Sequence, residues 1–335
     1  MKMRCPIFRR MAACAAVWAA IAVMPLQASA QTGAGPAGNF PNKPIHLVIG
    51  FSAGGGNDVV ARIVGQKLSE SFGQPVLVEN RTGAGGIIAA DYVARSAPDG
   101  HTLLTGPMAT VAINPAVYEK LPYAPQQFAP VSMIVSFPLF MLVKPTLPIH
   151  SVKELVTYAK ANPAKASYAA PATTFQLTME LFKQQTGTPA EYVAYKGSND
   201  AIAAVMSGEV LMTIIDAGPA STQLKNGEVR GLAVTAPKRI AAFPAIPTMA
   251  EAGIANMEVL SWIGFLAPAG TPRAIVTKIE REVARIVQLP DIAARLRSLE
   301  LDPVGSTSEE FAKVIAADIA RWTAVAKAAN IKLQP

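Results

Sequence analysis

The sequence predicts an α/β fold in two domains, joined by two crossings of the chain and separated by a ligand cleft. Three observations carry this expectation. From Pro44 onward, short β-rich runs alternate with segments of helical period, the pattern of a mostly parallel sheet covered by helices. The 335 residues leave about 300 once an N-terminal export segment is set aside, which suits two cores better than one. Two extended apolar runs, 133–143 and 259–267, bracket a middle αβ block as two crossings would, and a double crossing permits hinge closure.

The export segment comes first. Lys2, Arg4, Arg9 and Arg10 form a basic head, residues 11–26 are apolar, and Ala28-Ser29-Ala30 is a small-residue cleavage signal. This reads as a signal peptide over 1–30, followed by a flexible Gly/Ala/Pro-rich leader over 31–41, and it directs the product to the periplasm. The segment holds four basic residues and no acidic one, so its removal lowers the formal net charge from +7 to +3. The remaining charges are scattered, with no basic stripe for nucleic acid. Cys5 and Cys14 leave with the signal, which excludes disulfides, thiol catalysis and thiolate metal sites.

In the expected first domain, residues 46–51 form a strand and 59–72 a helix, with Val60, Ile63, Val64 and Leu68 on its apolar face. Asn57 or Asp58 is expected to cap that helix. A strand at 75–79, a helix at 87–95 and a strand at 101–105 follow. The middle block holds helices at 152–161, 176–186 and 199–207 and strands at 167–170, 191–195, 210–216 and 231–235. Three C-terminal helices, ending near 289, 299 and 329, need a partner sheet and fold back onto the first domain. With crossings near Met141 and Gly264, the first domain comprises 42–141 and 265–335, and the second 142–264.

The chain is organised around Phe51-Ser52-Ala53-Gly54-Gly55-Gly56-Asn57-Asp58 and its echo Asn80-Arg81-Thr82-Gly83-Ala84-Gly85-Gly86. Each follows a strand and opens a helix. Such turns let successive backbone N–H groups converge beside a helix N-terminus, which makes an anion cradle. A third loop, 106–110, ends the next strand, and all three share the carboxyl edge of the sheet, where α/β ligands sit.

Enzymatic readings lack their parts. His46, His101 and His150 stand without metal-ligand spacing. Ser52 precedes its glycines instead of sitting in a nucleophile elbow, and neither a P-loop nor a G-x-G-x-x-G fingerprint exists. Asp216 ends a strand at the cleft, either to meet a ligand donor or to bind a loop amide. Thr173 and Thr174 either cap a helix or donate to a ligand. Phe51 either packs or touches the ligand, and Trp262 and Phe265 read as packing.

The glycine stretches, with Asn42-Lys43-Pro44-Ile45 before them and Ala97-Pro98-Asp99-Gly100 after, resemble the Bug receptors, the extracytoplasmic solute-binding proteins of tripartite tricarboxylate transporters. Ala194-Tyr195-Lys196-Gly197-Ser198, Leu232-Ala233-Val234-Thr235, Pro247-Thr248-Met249-Ala250-Glu251-Ala252-Gly253 and Ala267-Pro268-Ala269-Gly270-Thr271-Pro272 extend the resemblance over nearly the whole mature chain. It implies a two-domain periplasmic binding protein fold, type II-like, that closes on a small carboxylate, di-, tricarboxylate or aromatic. It further implies a monomer that works without cofactor and delivers its ligand to membrane permease subunits, or presents it to a sensor protein. The carboxylate would be gripped by loop amides. The resulting ligand-binding set is Phe51, Ser52, Ala53, Gly54, Gly55, Gly56, Asp58, Gly83, Ala84, Gly85, Gly86, Thr110, Thr173, Thr174, Gln176 and Asp216. This chain departs from the family pattern at Ala53, at His101 and in the loop 170–176, where Gln176 stands near a usual histidine and Phe175 suggests an apolar or aromatic acid.

Overall fold

The first strands order the loops. In the computed structural model, described here for residues 38–334, β1 (Ile45–Ile49), α1 (Gly56–Phe72), β2 (Val76–Asn80), α2 (Ile87–Ala94) and β3 (Thr102–Pro107) follow one another. The expected signal peptide, 1–30, and leader residues 31–37 lie outside the described residues. β1 pairs in parallel with β2 on one side, Leu47 opposite Val78, and with β3 on the other, Leu47 opposite Leu103. The loops after all three strands therefore leave the same edge. A single π-helical turn (Ala109–Ile113) follows β3 and runs into α3 (Asn114–Val117).

β4 (Phe128–Val143) is longer than the apolar run at 133–143 suggests. Pro130 conceals its start in the sequence, because proline cannot donate to a ladder. The structure accommodates Pro130 at a register shift and Pro138 where β4 changes partners. The chain continues through α4 (Val152–Ala161), β5 (Ser167–Ala170), α5 (Thr173–Thr186), β6 (Glu191–Ala194), α6 (Ser198–Ser207), β7 (Met212–Asp216), α7 (Ala217–Lys225) and β8 (Arg230–Val234). It returns in β9 (Leu260–Pro268) and closes with α8 (Arg273–Val287), α9 (Pro290–Ser298), β10 (Asp302–Pro303) and α10 (Ser308–Ala328).

The strand order is β2-β1-β3-β9-β4-β7-β5-β6, with β8 and β10 also on β4. β4 is the common thread. Residues 128–138 pair with β9, whereas 139–143 pair with β7 and β8. Thr235 knits the exchange point: its hydroxyl accepts from the Leu139 amide at 2.8 Å and donates to the Val259 carbonyl at 2.6 Å.

Alternation along the strands separates the cores. Val48, Leu104, Leu139, Met141 and Met212 face one core that runs through both halves of the sheet together with Trp322 and Phe182. On the opposite face the halves have separate cores. One gathers Leu47, Ile49, Leu103 and the apolar faces of α1 and α8; the other gathers Phe140, Leu142, Ile215 and α6. Trp262 and Phe265 are buried, and Trp262 donates to Asp318 at 2.7 Å while stacking edge-on against Phe311.

Candidate functional site: two glycine loops and a facing wall

The three loops meet. A Cβ built on Gly50 would lie 2.4 Å from the Gly86 Cα, so the first two loops touch backbone to backbone. Gly86 has φ +88°, and a Cβ there would lie 2.4 Å from the Thr110 hydroxyl oxygen. Glycine is thus demanded at Gly86 by both conformation and space. Ala84 joins the same left-handed run at φ +46°, an uncommon state for a residue with a side chain. The second loop is held from below: Thr110 Oγ1 and Asn114 Nδ2 both donate to the Gly85 carbonyl, at 3.2 and 3.1 Å. Tyr123 donates to the Thr110 carbonyl, and burial pushes its hydroxyl up to about 12.

Ser52, Ala53, Gly54, Gly55 and Gly56 are exposed, as are Ala84 and Gly85; Gly83 is half-buried and Gly86 buried. α1 begins at Gly56, three residues earlier than the sequence suggests, so its cap is Gly55 and neither Asn57 nor Asp58 caps it. Because of that shift, Asp58 lands in the first turn of the helix, where its side chain reaches back to accept from the Gly54 amide at 3.0 Å. Arg62 forks onto the same carboxylate at 2.8 and 2.9 Å, and chiefly this bond lowers the Asp58 pKa to about 2. Arg81 is likewise occupied, paired with Glu79 at 3.0 Å and stacked 3.6 Å above the Tyr92 ring. The positive field at the loops therefore comes from first-turn amides and helix dipoles.

The other predicted residues lie in the second half of the sheet. Thr173, Thr174 and Gln176 occupy the first turn of α5, whose cap is Ala172, so neither threonine caps the helix. α5 also packs against the 109–113 turn that follows β3. Asp216 ends β7 and accepts from Ser198 at 2.9 Å; burial pushes its carboxyl up. Phe175 is half-buried against cores on both sheet faces, and Phe51 packs beside the α1 core. A groove of about 450 Å³ lies between the halves, lined by Pro138, Ala217, Leu260, Arg297 and the 236–242 loop among others; the glycine loops are not part of its wall.

Sequence reasoning missed Asn114, Tyr123 and Ser198, which support the loops or Asp216. Each is a lone polar residue with no spacing signal. Among the described residues, no group of three His, Cys, Asp or Glu could hold a metal ion, and no helix is long and apolar enough to cross a membrane.

Residues 60–331 match the family described as tripartite tricarboxylate transporter family receptor, TctC. Protein BugT of Bordetella pertussis is 33% identical over 302 residues, covering 89% of this chain and 93% of BugT. An R. palustris protein solved with adipate is 37% identical with a TM-score of 0.76, covering 88% of this chain and 99% of that one. MatC from Rhodopseudomonas palustris, solved with bound malate, is 30% identical with a TM-score of 0.72, covering 85% and 99%. With a family match over most of its length and relatives aligned nearly end to end, the chain belongs to the TctC family of tripartite tricarboxylate transporter receptors.

Proposed function

We propose that this protein is a periplasmic receptor that captures a small carboxylate at the glycine loops and delivers it to the permease of a tripartite tricarboxylate transporter. The observation that carries the reading is that two relatives at 37% and 30% identity were solved with adipate and with malate, both carboxylates. The geometry supports it: two touching loops with exposed main chain, 52–56 and 84–85, lead into helix N-termini, and the nearby Arg62 and Arg81 are both paired. The work is binding, with no chemical step, by a monomer.

In this reading the halves of the sheet act as two domains, 42–141 with 265–335 and 142–264, that close over the ligand about the Thr235 knot. The loops grip one carboxylate. Thr173, Thr174, Gln176 and Asp216 face the remainder of the molecule and set which acid is accepted.

Thermal denaturation of the mature protein with adipate, malate and other mono- and dicarboxylates tests this. A ligand at a hundred times its Kd adds about 2.7 kcal/mol of stability. Stabilisation by sugars or cations and by no carboxylate would refute the proposal. Gly55→Asp isolates the electrostatic part, because a Cβ there meets only the Ser52 carbonyl at 3.4 Å, an ordinary contact. The variant should fold normally and lose carboxylate affinity by more than about tenfold, since a like charge then stands at the grip.

A further inference from the structure

Asp58 is where an anion receptor has least use for a negative charge, in the first turn of the helix that opens from the first glycine loop. It is only 3% exposed, and both of its oxygens are fully engaged inside the protein. Oδ2 accepts from the Gly54 amide at 3.0 Å and from Arg62 Nε at 2.8 Å. Oδ1 accepts from a second Arg62 nitrogen at 2.9 Å and from Asn80 Nδ2 at 3.0 Å. The same Asn80 nitrogen donates to the Phe51 carbonyl at 3.0 Å. Phe51 and Gly54 belong to the first loop, and Asn80 opens the second. One carboxylate thus ties both loops to a single point.

We propose that Asp58, Arg62 and Asn80 form a positioning unit that holds the two glycine loops in register for the ligand carboxylate, and that Asp58 does not touch the ligand. The inference rests on the receptor reading above. Four accepted hydrogen bonds fill the capacity of a carboxylate, and the guanidinium fork fixes its plane. Arg62 also cancels the Asp58 charge, so the grip keeps the field of its amides.

Positioning and charge make opposite forecasts. If the unit positions the loops, Asp58→Asn, Arg62→Gln and the double variant all loosen the same structure. Each then lowers affinity by about tenfold, and the double falls little below either single, because residues of one network do not add. If the pair acts by charge alone, Asp58→Asn tightens anion binding, Arg62→Gln weakens it and the double returns to the starting value.

Calorimetric titration of adipate and malate into the mature protein and these variants at two salt concentrations separates the two. Arg285→Gln, which breaks the Arg285–Glu282 contacts on α8, serves as the remote control and should bind as the parent does. Amide hydrogen exchange of the ligand-free proteins is the second readout. Residues 51–57 and 80–86 should exchange faster in Asp58→Asn and Arg62→Gln, with the rest of the chain at parent rates. Arg62 is half-exposed, so its variant folds even where Asp58→Asn does not. Parent exchange in both loops, or affinities ordered by charge, would overturn the proposal. A parent protein that binds no carboxylate refutes the receptor reading instead, and exchange still decides the role of the unit.

Discussion

In the proposed receptor, the two walls of the site are made of different material. The glycine loops of the first half present main chain in exposed turns, with Asp58 and Thr110 bonded to their backbone and holding the turns in place. The proposed wall of the second half, the start of α5 and the end of β7, offers hydroxyls, an amide and a half-buried acid. Backbone amides are the same in every protein, so a grip built from them would read the negative charge of the ligand and little else. Side chains are particular to this sequence, and in the proposed reading the identity of the acid would be written there.

The comparison breaks first at Gly50. In Gly50→Ala the new Cβ meets the Gly86 backbone at 2.4 Å, and neither loop has a flexible side chain to move away. The cost should be about 2–3 kcal/mol of stability, with carboxylate affinity reduced for every acid alike. A variant with the parent melting point and affinity would show that the loops do not need their close approach.

The next test is acid titration. The Asp58 pKa is held at about 2, against an ordinary 3.8, so its contribution is present above pH 4 and is lost as pH falls through 2. The loss should be on the order of 1–2 kcal/mol, because Arg62 is half-exposed and water screens part of the pair. Urea unfolding of the parent and Asp58→Asn at pH 2 to 5 reads this as a gap between the two that closes with acid. A constant gap would refute it.

Substitutions on the facing wall should act on choice more than on strength. Thr173→Ala, Thr174→Ala and Gln176→Ala each remove a hydrogen-bonding group worth about 1 kcal/mol. They should change the ratio of adipate to malate affinity several-fold while leaving the melting point of the free protein within a degree or two. Equal losses for all acids would move ligand choice back to the loops.

The smallest effect concerns the second carboxylate. Burial raises the Asp216 pKa, so its sign is opposite to that of Asp58: the folded state is favoured with Asp216 protonated and loses that advantage as pH rises through the raised value. Asp216→Asn should therefore gain on the parent in ligand-free stability as pH climbs from 4 toward neutrality. A variant that loses ground to the parent over that range would contradict the assignment.

What could be read from the sequence divides along the same line. The loops were legible because local chemistry makes them: glycines after an apolar run and before a helical period leave few alternatives. Their fine structure was not, since α1 starts at Gly56 and that shift turned Asp58 from a cap into a tie. α7 escaped notice because Ala217-Gly218-Pro219 reads as a turn, although a proline in a first turn breaks no helical bond. Ser198 and Asp216 meet across 18 residues, and Asn114 reaches Gly85 across 29; no periodicity announces such pairs, because packing of distant elements creates them.

The sheet carries one shared core on one face and two separate cores on the other. If the proposed closure holds, the halves open like a book, with the shared core as the spine. Cargo would then leave by the page edge through which it entered. In the proposed reading a permease would then dock where the ligand first arrived, meeting a shut mouth on an occupied receptor and an open mouth on an empty one.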